Sequence, residues 1–207
     1  MPKVAYSEEE RERIREALVT TALALMARQG IQHTTVEQIY REVGISRTFF
    51  YTFFSSKEDL IVETLYHQQP KILACARQLM EDPALTWREG VEGFLRTCCY
   101  GERNGIAVMT IEEQQVLFRR LSEESYRHFR EKQLRLFARL LECFGIRPDN
   151  GRVALFTNLS LAVMVLRRAI PSSLPLLVPE AADAAVNVQI GAIVDCLEQM
   201  RKDDKSR

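Results

Sequence analysis

The sequence predicts an all-α fold of about nine helices. Helix-capping pairs recur along the chain, such as Ser7 with Glu10 and Thr86 with Glu89, in which the polar side chains satisfy free backbone amides of the first turn. Between these pairs, apolar residues repeat at intervals of three and four, as they do on one face of a helix. No apolar run alternates with polar residues in the manner of a strand. The sequence therefore predicts helices and no sheet.

Composition limits the class of protein further. The chain has 207 residues, of which 46% are hydrophobic, and its 28 basic and 28 acidic residues balance. That composition predicts a folded globular protein without bulk attraction to nucleic acid, so any DNA binding must depend on local chemistry. The most apolar stretch, Val153–Leu166, is shorter than the ~20 residues that a membrane span needs. The N-terminus has no apolar core typical of a secretion signal. We therefore expect a cytoplasmic protein without a membrane partner.

The N-terminal third contains four predicted helices. The first begins after Ser7 and ends at Gly30, and a proline at position 70 is expected to end or kink the fourth. Between them, Thr35 can cap a short helix that Gly44 ends, and Ser46 can cap the next. This organisation is typical of a helix-turn-helix, whose second helix enters the major groove of DNA. A short helix-Gly-helix alone is a weak signal, because ordinary helical corners share it.

Five further helices are predicted beyond residue 80. Four of them begin at a capping residue or a proline, and the weaker helix around Val108 follows a loop bracketed by Gly101 and Gly105. The tail after Met200 is expected to fray, and Pro171 is expected to stop the helix before it. The predicted helices run from Thr86 toward Tyr100, from Val108 to Leu117, from Ser122 to Phe144, from Val153 to Ile170 behind an Asp149 cap, and from Glu180 to Met200.

Two segments around the predicted turn form a recognisable motif: residues 34–47 read TTVEQIYREVGISR, and residues 50–60 read FYTFFSSKEDL. This motif resembles that of the TetR family of transcriptional regulators. The family has the same Thr-Thr-Val start, Gly-x-Ser turn, aromatic recognition helix and Ser-Lys-Glu-x-Leu ending. The similarity covers Ile14 to Leu65, and beyond it only the helical layout and the length agree. The resemblance implies a helix-turn-helix DNA-binding domain over residues 1–55 and a larger helical ligand-binding and dimerisation domain over residues 56–207.

The resemblance also implies which residues meet DNA. Backbone amides at the starts of the Thr35 and Ser46 helices suit phosphates, as do a phenol at position 51 and an ammonium group at position 57. Arg47 can reach guanine or a phosphate. A Phe ring or a Thr methyl group can contact a thymine methyl group. The expected DNA-contacting residues are Thr35, Ser46, Arg47, Thr48, Phe49, Tyr51, Thr52 and Lys57.

The chain departs from the family pattern at four positions. Tyr40 and Val43 stand where members usually carry small residues. Phe49 replaces a usual Thr or Ser, which removes a polar contact, and Thr52 replaces a more common Tyr, His or Arg. The changes at Phe49 and Thr52 affect which operator sequence is recognised. Those at Tyr40 and Val43 affect how the two helices pack.

The resemblance implies a ligand-responsive repressor that binds a palindromic double-stranded operator as a homodimer. The last two predicted helices are rich in Ala, Val and Leu over more than one stripe, which favours a homodimer through a four-helix interface. A small, largely apolar effector is expected to release the DNA, with the Pro70 region as the lever. The expected effector-binding residues are Leu95, Cys98, Val108, Phe118, Phe137 and Phe156.

Two alternatives stay open. One is a protein of the same fold that binds a ligand but acts through another protein rather than through DNA. The other is a helical-bundle enzyme that uses a carboxylate such as Glu112, although no paired acid-base arrangement or catalytic motif accompanies it. The three histidines lack metal-ligand spacing, so no metal or cofactor is expected. Cys98 and Cys99 are interpreted as buried thiols rather than as a redox site.

Overall fold

The computed structural model describes residues 6–170 and 178–206, and every regular element within them is a helix. The all-α prediction is therefore confirmed. The described residues form more helices than expected because the chain breaks at Gln68 to begin a separate α5, and because the four-residue α7 lies where a loop was expected. The helices are α1 (Glu8–Gln29), α2 (Val36–Val43), α3 (Arg47–Phe50), α4 (Lys57–His67), α5 (Gln69–Glu81), α6 (Trp87–Cys99), α7 (Gly101–Asn104), α8 (Ile111–Arg120), α9 (Glu123–Cys143), α10 (Asn150–Ala169) and α11 (Ala182–Lys205), with a 3-10 turn at Pro179–Ala181.

Two hydrophobic cores organise these helices. The first is built by α1 to α4 around fully buried residues such as Leu18, Ile39, Phe50 and Leu60. The second is built by α5, α6, α9, α10 and α11. Leu117 of α8 joins the first core although it lies far along the chain. Helix α4 packs against α1 within the first core. The predicted domain boundary after residue 55 stays a prediction.

The break between α4 and α5 lies where the proline was expected to act. Pro70 occupies the first turn of α5, where its missing amide donor costs nothing. The side chain of buried Gln68 fixes the break, because it donates to the Ala107 carbonyl at 3.0 Å and accepts from the Ala107 amide at 2.9 Å. The break between α4 and α5 is thus hydrogen-bonded to the segment that precedes α8.

The C-terminal helix is longer than expected. The tail predicted to fray after Met200 continues α11 as far as Lys205. Asp204 accounts for the extension, because it accepts from the Arg152 guanidinium at 2.7 Å and from the Arg147 amide at 2.8 Å. Pro171, expected to stop α10, lies outside the described residues. Over residues 6–170 and 178–206, no helix is long and apolar enough to span a membrane.

Candidate nucleic-acid interface and ligand cavity

Local hydrogen bonds shape the turn between α2 and α3. The Thr35 hydroxyl accepts from the Gln38 amide at 3.1 Å, and the Gln38 side chain accepts from the Thr35 amide at 2.8 Å. Gly44 ends α2 in the left-handed conformation, with φ of 80° and ψ of 28°. A residue with a Cβ adopts that conformation only with strain, so glycine at this position allows the tight turn. The Ser46 hydroxyl then caps α3 by accepting from the Phe49 amide at 3.2 Å.

Helix α3 presents a polar face to solvent. Phe50 and Phe54 are buried in the first core and hold α3 against it. Arg47 lies on the opposite side, its guanidinium 5.9 Å from the centre of the Tyr51 ring, and it forms no ion pair with any residue in the described part of the chain. A face of this kind offers a mobile cation and several hydroxyls to a DNA groove. The exposed predicted contacts are Thr35, Ser46, Arg47, Thr48, Tyr51 and Thr52.

Phe49 is placed differently from these six residues. Its ring is half-buried, stacked on Tyr6 at 4.7 Å and edge-on to Phe53 at 5.1 Å. The Arg11 guanidinium lies over the Phe53 ring at 4.8 Å. Tyr6 and the first turn of α1 therefore pack against Phe49 and Phe53. Neither Tyr6 nor Arg11 was predicted at this site; the available signal was Tyr6, an aromatic residue just before the first helix.

Lys57, a predicted DNA contact, forms a hydrogen bond within the protein. Its ammonium donates to the Ile31 carbonyl at 2.8 Å, and the side chain is half-buried. Burial lowers the pKa of Lys57 below its ordinary value, while the nearby Glu58 and Glu113 carboxylates oppose that shift. The ammonium thus links the start of α4 to the loop between α1 and α2.

A cavity of about 120 Å³ lies between α4, α5, α6, α8, α9 and α10. Four of the six residues predicted for an effector site line it, namely Cys98, Val108, Phe118 and Phe137. Leu95 and Phe156 do not, because both are fully buried in the second core. The Phe156 ring lies behind Phe137, edge-on at 5.4 Å. The turn of α10 that reaches the cavity instead carries Leu161, Met164 and Val165.

Burial disfavours ionisation of the Cys98 and Cys99 thiols. Burial raises the pKa of the Cys98 thiol, and burial likewise raises the pKa of Cys99 to about 11. Both therefore stay protonated at neutral pH, which disfavours reaction with oxidants. In the ranges 6–170 and 178–206, no group of three or more His, Cys, Asp or Glu side chains could hold a metal ion.

Helix α8 lies between the cavity and the helix-turn-helix. Gln114 and Phe118 line the cavity. The buried Glu113 carboxylate accepts from the Gln32 amide, in the loop before α2, at 2.6 Å. At the other end of α8, Arg120 pairs with Glu58 in the first turn of α4. Helix α8 therefore lines the cavity and also contacts the loop before α2 and the start of α4.

Comparison with known proteins agrees with this arrangement. Residues 18–64 match the family model described as bacterial regulatory proteins, tetR family. The regulator TcmR of Streptomyces glaucescens is 31% identical over 96 residues, which are 45% of this chain and 42% of TcmR. The uncharacterized regulator YerO of Bacillus subtilis is 40% identical over 48 residues, 23% of this chain and 17% of YerO. The matches thus span less than half of these relatives.

Solved structures extend the similarity to the whole fold. A TetR-family regulator from Streptomyces coelicolor has a TM-score of 0.55 at 18% identity, covering 92% of this chain and 97% of that one. A TetR-family regulator from Pectobacterium atrosepticum has the same score and identity, covering 94% and 97%. At this identity the likeness concerns the fold alone.

The fold and the site define a helix-turn-helix DNA-binding protein with a second, larger helical core that contains a cavity. The family match over residues 18–64 identifies the helix-turn-helix of this chain as one of the tetR family of bacterial regulatory proteins, and the fold of the chain resembles that of TetR-family regulators. Members of this family are DNA-binding regulators and not enzymes, which agrees with the expectation from sequence.

Proposed function

We propose that this protein is a homodimeric repressor that acts in the cytoplasm, binds a palindromic operator and releases it when a small apolar effector binds. The observation that carries the proposal is the exposed polar face of α3. That face combines a guanidinium at Arg47, which pairs with no carboxylate among the described residues, with the phenol of Tyr51, 44% exposed, beside two capped helix starts. These are the groups that position a recognition helix on phosphates and base edges.

The outward faces of α10 and α11 support a dimer. Most of the apolar surface of α11 that favoured a dimer in the sequence is buried within the chain: Ala185 is exposed, whereas the buried residues are Ala182, Val186, Ile190, Ile193, Val194 and Leu197. A different stripe of α11 faces outward and includes Val188, which is 73% exposed. Its small residues permit close helix packing, and a partner copy would cover it together with Leu155 of α10. The stripe consists of Ala184, Ala185, Val188 and Ala192 of α11, together with Ala181 of the 3-10 turn before it.

Effector action follows from the position of α8. A ligand in the cavity contacts Gln114 and Phe118, and displacement of α8 would pull Glu113 from the Gln32 amide. Such a ligand releases DNA only if it binds the displaced state more tightly, typically by ~1–3 kcal/mol. We propose α8, rather than the Pro70 region alone, as the coupling element.

Fluorescence anisotropy with labelled DNA from the promoter region of the protein's own gene tests the proposal. We expect tight binding to the promoter DNA that weakens with salt. Unrelated DNA should bind more weakly, with only the affinity that any basic surface gives. Arg47→Ala should reduce binding to the promoter, whereas Arg139→Ala, an exposed change on α9, should not. Equal affinity for promoter and unrelated DNA would favour the alternative of a ligand-binding adaptor that acts through another protein.

A further inference from the structure

The cavity lining has no charge. Among the residues in ranges 6–170 and 178–206 that line it, none is Asp, Glu, Lys, Arg or His. Aromatic rings from three helices form much of the wall, including Phe94, Phe118, Phe129 and Phe137. Burying an unpaired carboxylate or ammonium against such a wall costs far more than burying a neutral group. The lining therefore favours an uncharged ligand.

Three carboxamides interrupt the apolar wall, and they differ in availability. Gln68 is committed to both backbone groups of Ala107. Gln114 of α8 and Gln133 of α9 line the same cavity and form no side-chain hydrogen bond with any residue that the structure describes. A carboxamide offers both a donor and an acceptor, so each can meet a hydroxyl, carbonyl or amide of a ligand.

The volume limits the size of the ligand. An engineered apolar cavity of about 150 Å³ holds benzene, and this one measures about 120 Å³. We infer that the effector is a neutral molecule about the size of one aromatic ring, which carries a hydrogen-bonding group read by Gln114 and Gln133. This inference rests on the proposed role of the cavity as the effector site, and it narrows that role to one chemical class.

Isothermal titration of the full-length protein with matched single-ring probes tests the inference without DNA. Benzamide should bind, whereas benzoate and benzylammonium, which differ from it mainly in charge, should not. Naphthalene-2-carboxamide should bind no more tightly than benzamide. Benzoate or benzylammonium binding as tightly as benzamide would overturn the neutrality, and tighter binding of the two-ring amide would overturn the size limit.

Leucine substitutions test the two carboxamides. Gln114→Leu with Gln133→Leu should weaken benzamide binding about tenfold, the effect of one or two lost hydrogen bonds, while toluene binding stays within about twofold. Gln115→Leu, on the exposed side of α8, should change neither. Unchanged benzamide affinity in the double variant would refute the proposal that Gln114 and Gln133 hydrogen-bond to the polar group of the ligand. Since no DNA is present, binding of benzamide by a protein that ignores its promoter would contradict the proposed repressor and leave intact only the ligand preference of the cavity.

Discussion

The carboxylate of Glu113 accepts a hydrogen bond from the backbone amide of Gln32 at 2.6 Å, across 81 positions of the chain. Its other oxygen accepts from the Thr110 amide at 2.8 Å and so caps α8. Glu113 is only 6% exposed, and its neighbour Gln114 lines the cavity. A single buried group therefore holds both the start of α8 and the loop that leads into the Thr35 cap.

Replacing this carboxylate tests its double role. Glu113→Gln keeps the shape but leaves one acceptor oxygen and places an NH₂ group against an amide donor, so one buried bond is lost. We expect the free energy of unfolding to fall by ~1–3 kcal/mol, measured by urea denaturation. Glu112→Gln, on the exposed side of the same turn, should change it by less than about 0.5 kcal/mol. Equal stability of the two variants would contradict the contact.

Arg47 and Lys57 should respond differently to removal. Arg47 is exposed and unpaired among the described residues, so Arg47→Ala should leave the unfolding free energy unchanged. A bidentate contact to guanine would make the same change relax preference at one base pair by ~1–3 kcal/mol, measured by binding to a set of single-base operator variants. Equal loss on every DNA would remove Arg47 from base readout.

Lys57→Ala should instead lower the unfolding free energy by about 1 kcal/mol, because it breaks the bond to the Ile31 carbonyl. Chemical denaturation at neutral pH measures that loss. If stability is unchanged and the salt dependence of DNA binding falls by about one counterion, Lys57 is a phosphate contact, as the sequence predicted, and not an internal anchor.

The proposed dimer face has a sharp test at Val188. Val188→Glu places a charge in the centre of the exposed α11 stripe, where an apposed copy would bury it without a partner. We expect sedimentation equilibrium to give a monomer for this variant and a dimer for the unchanged protein. Val116→Glu, which puts the same charge on an exposed valine of α8, should remain dimeric. A dimeric Val188→Glu protein would place the interface elsewhere.

Sequence patterns predicted best those features that depend on near neighbours. The Thr35 and Ser46 caps each bond an amide three residues away, so spacing alone revealed them. Leu95 and Cys98 lie one helical turn apart, yet only Cys98 reaches the cavity, because the packing of α6 against distant helices decides which side faces it. The contact between Glu113 and Gln32 has no local signal at all.

Asp204 gives the protein an acid-sensitive contact at the end of α11. The hydrogen bond from Arg152, followed by that from the Arg147 amide, holds the pKa of this carboxyl below its ordinary value. A carboxyl whose pKa is lower in the folded state stabilises the fold above its unfolded pKa of about 4, and that contribution is lost as the pH falls through the folded-state value. Asp204→Asn should therefore be less stable than the unchanged protein at neutral pH, and the difference should shrink in acid.

Urea denaturation at fixed protein concentration, repeated from neutral to acid pH, measures this difference, because a dimer's apparent stability depends on concentration. The neighbouring change Asp203→Asn removes an exposed carboxylate that accepts from the Gln199 side chain at 2.9 Å, so its effect should be small at every pH. If the deficit of Asp204→Asn stayed constant down to the acid limit of folding, protonation of Asp204 would not be its cause. The stabilisation would then come from the shape and neutral hydrogen bonding of the side chain, and α11 would not loosen in acid.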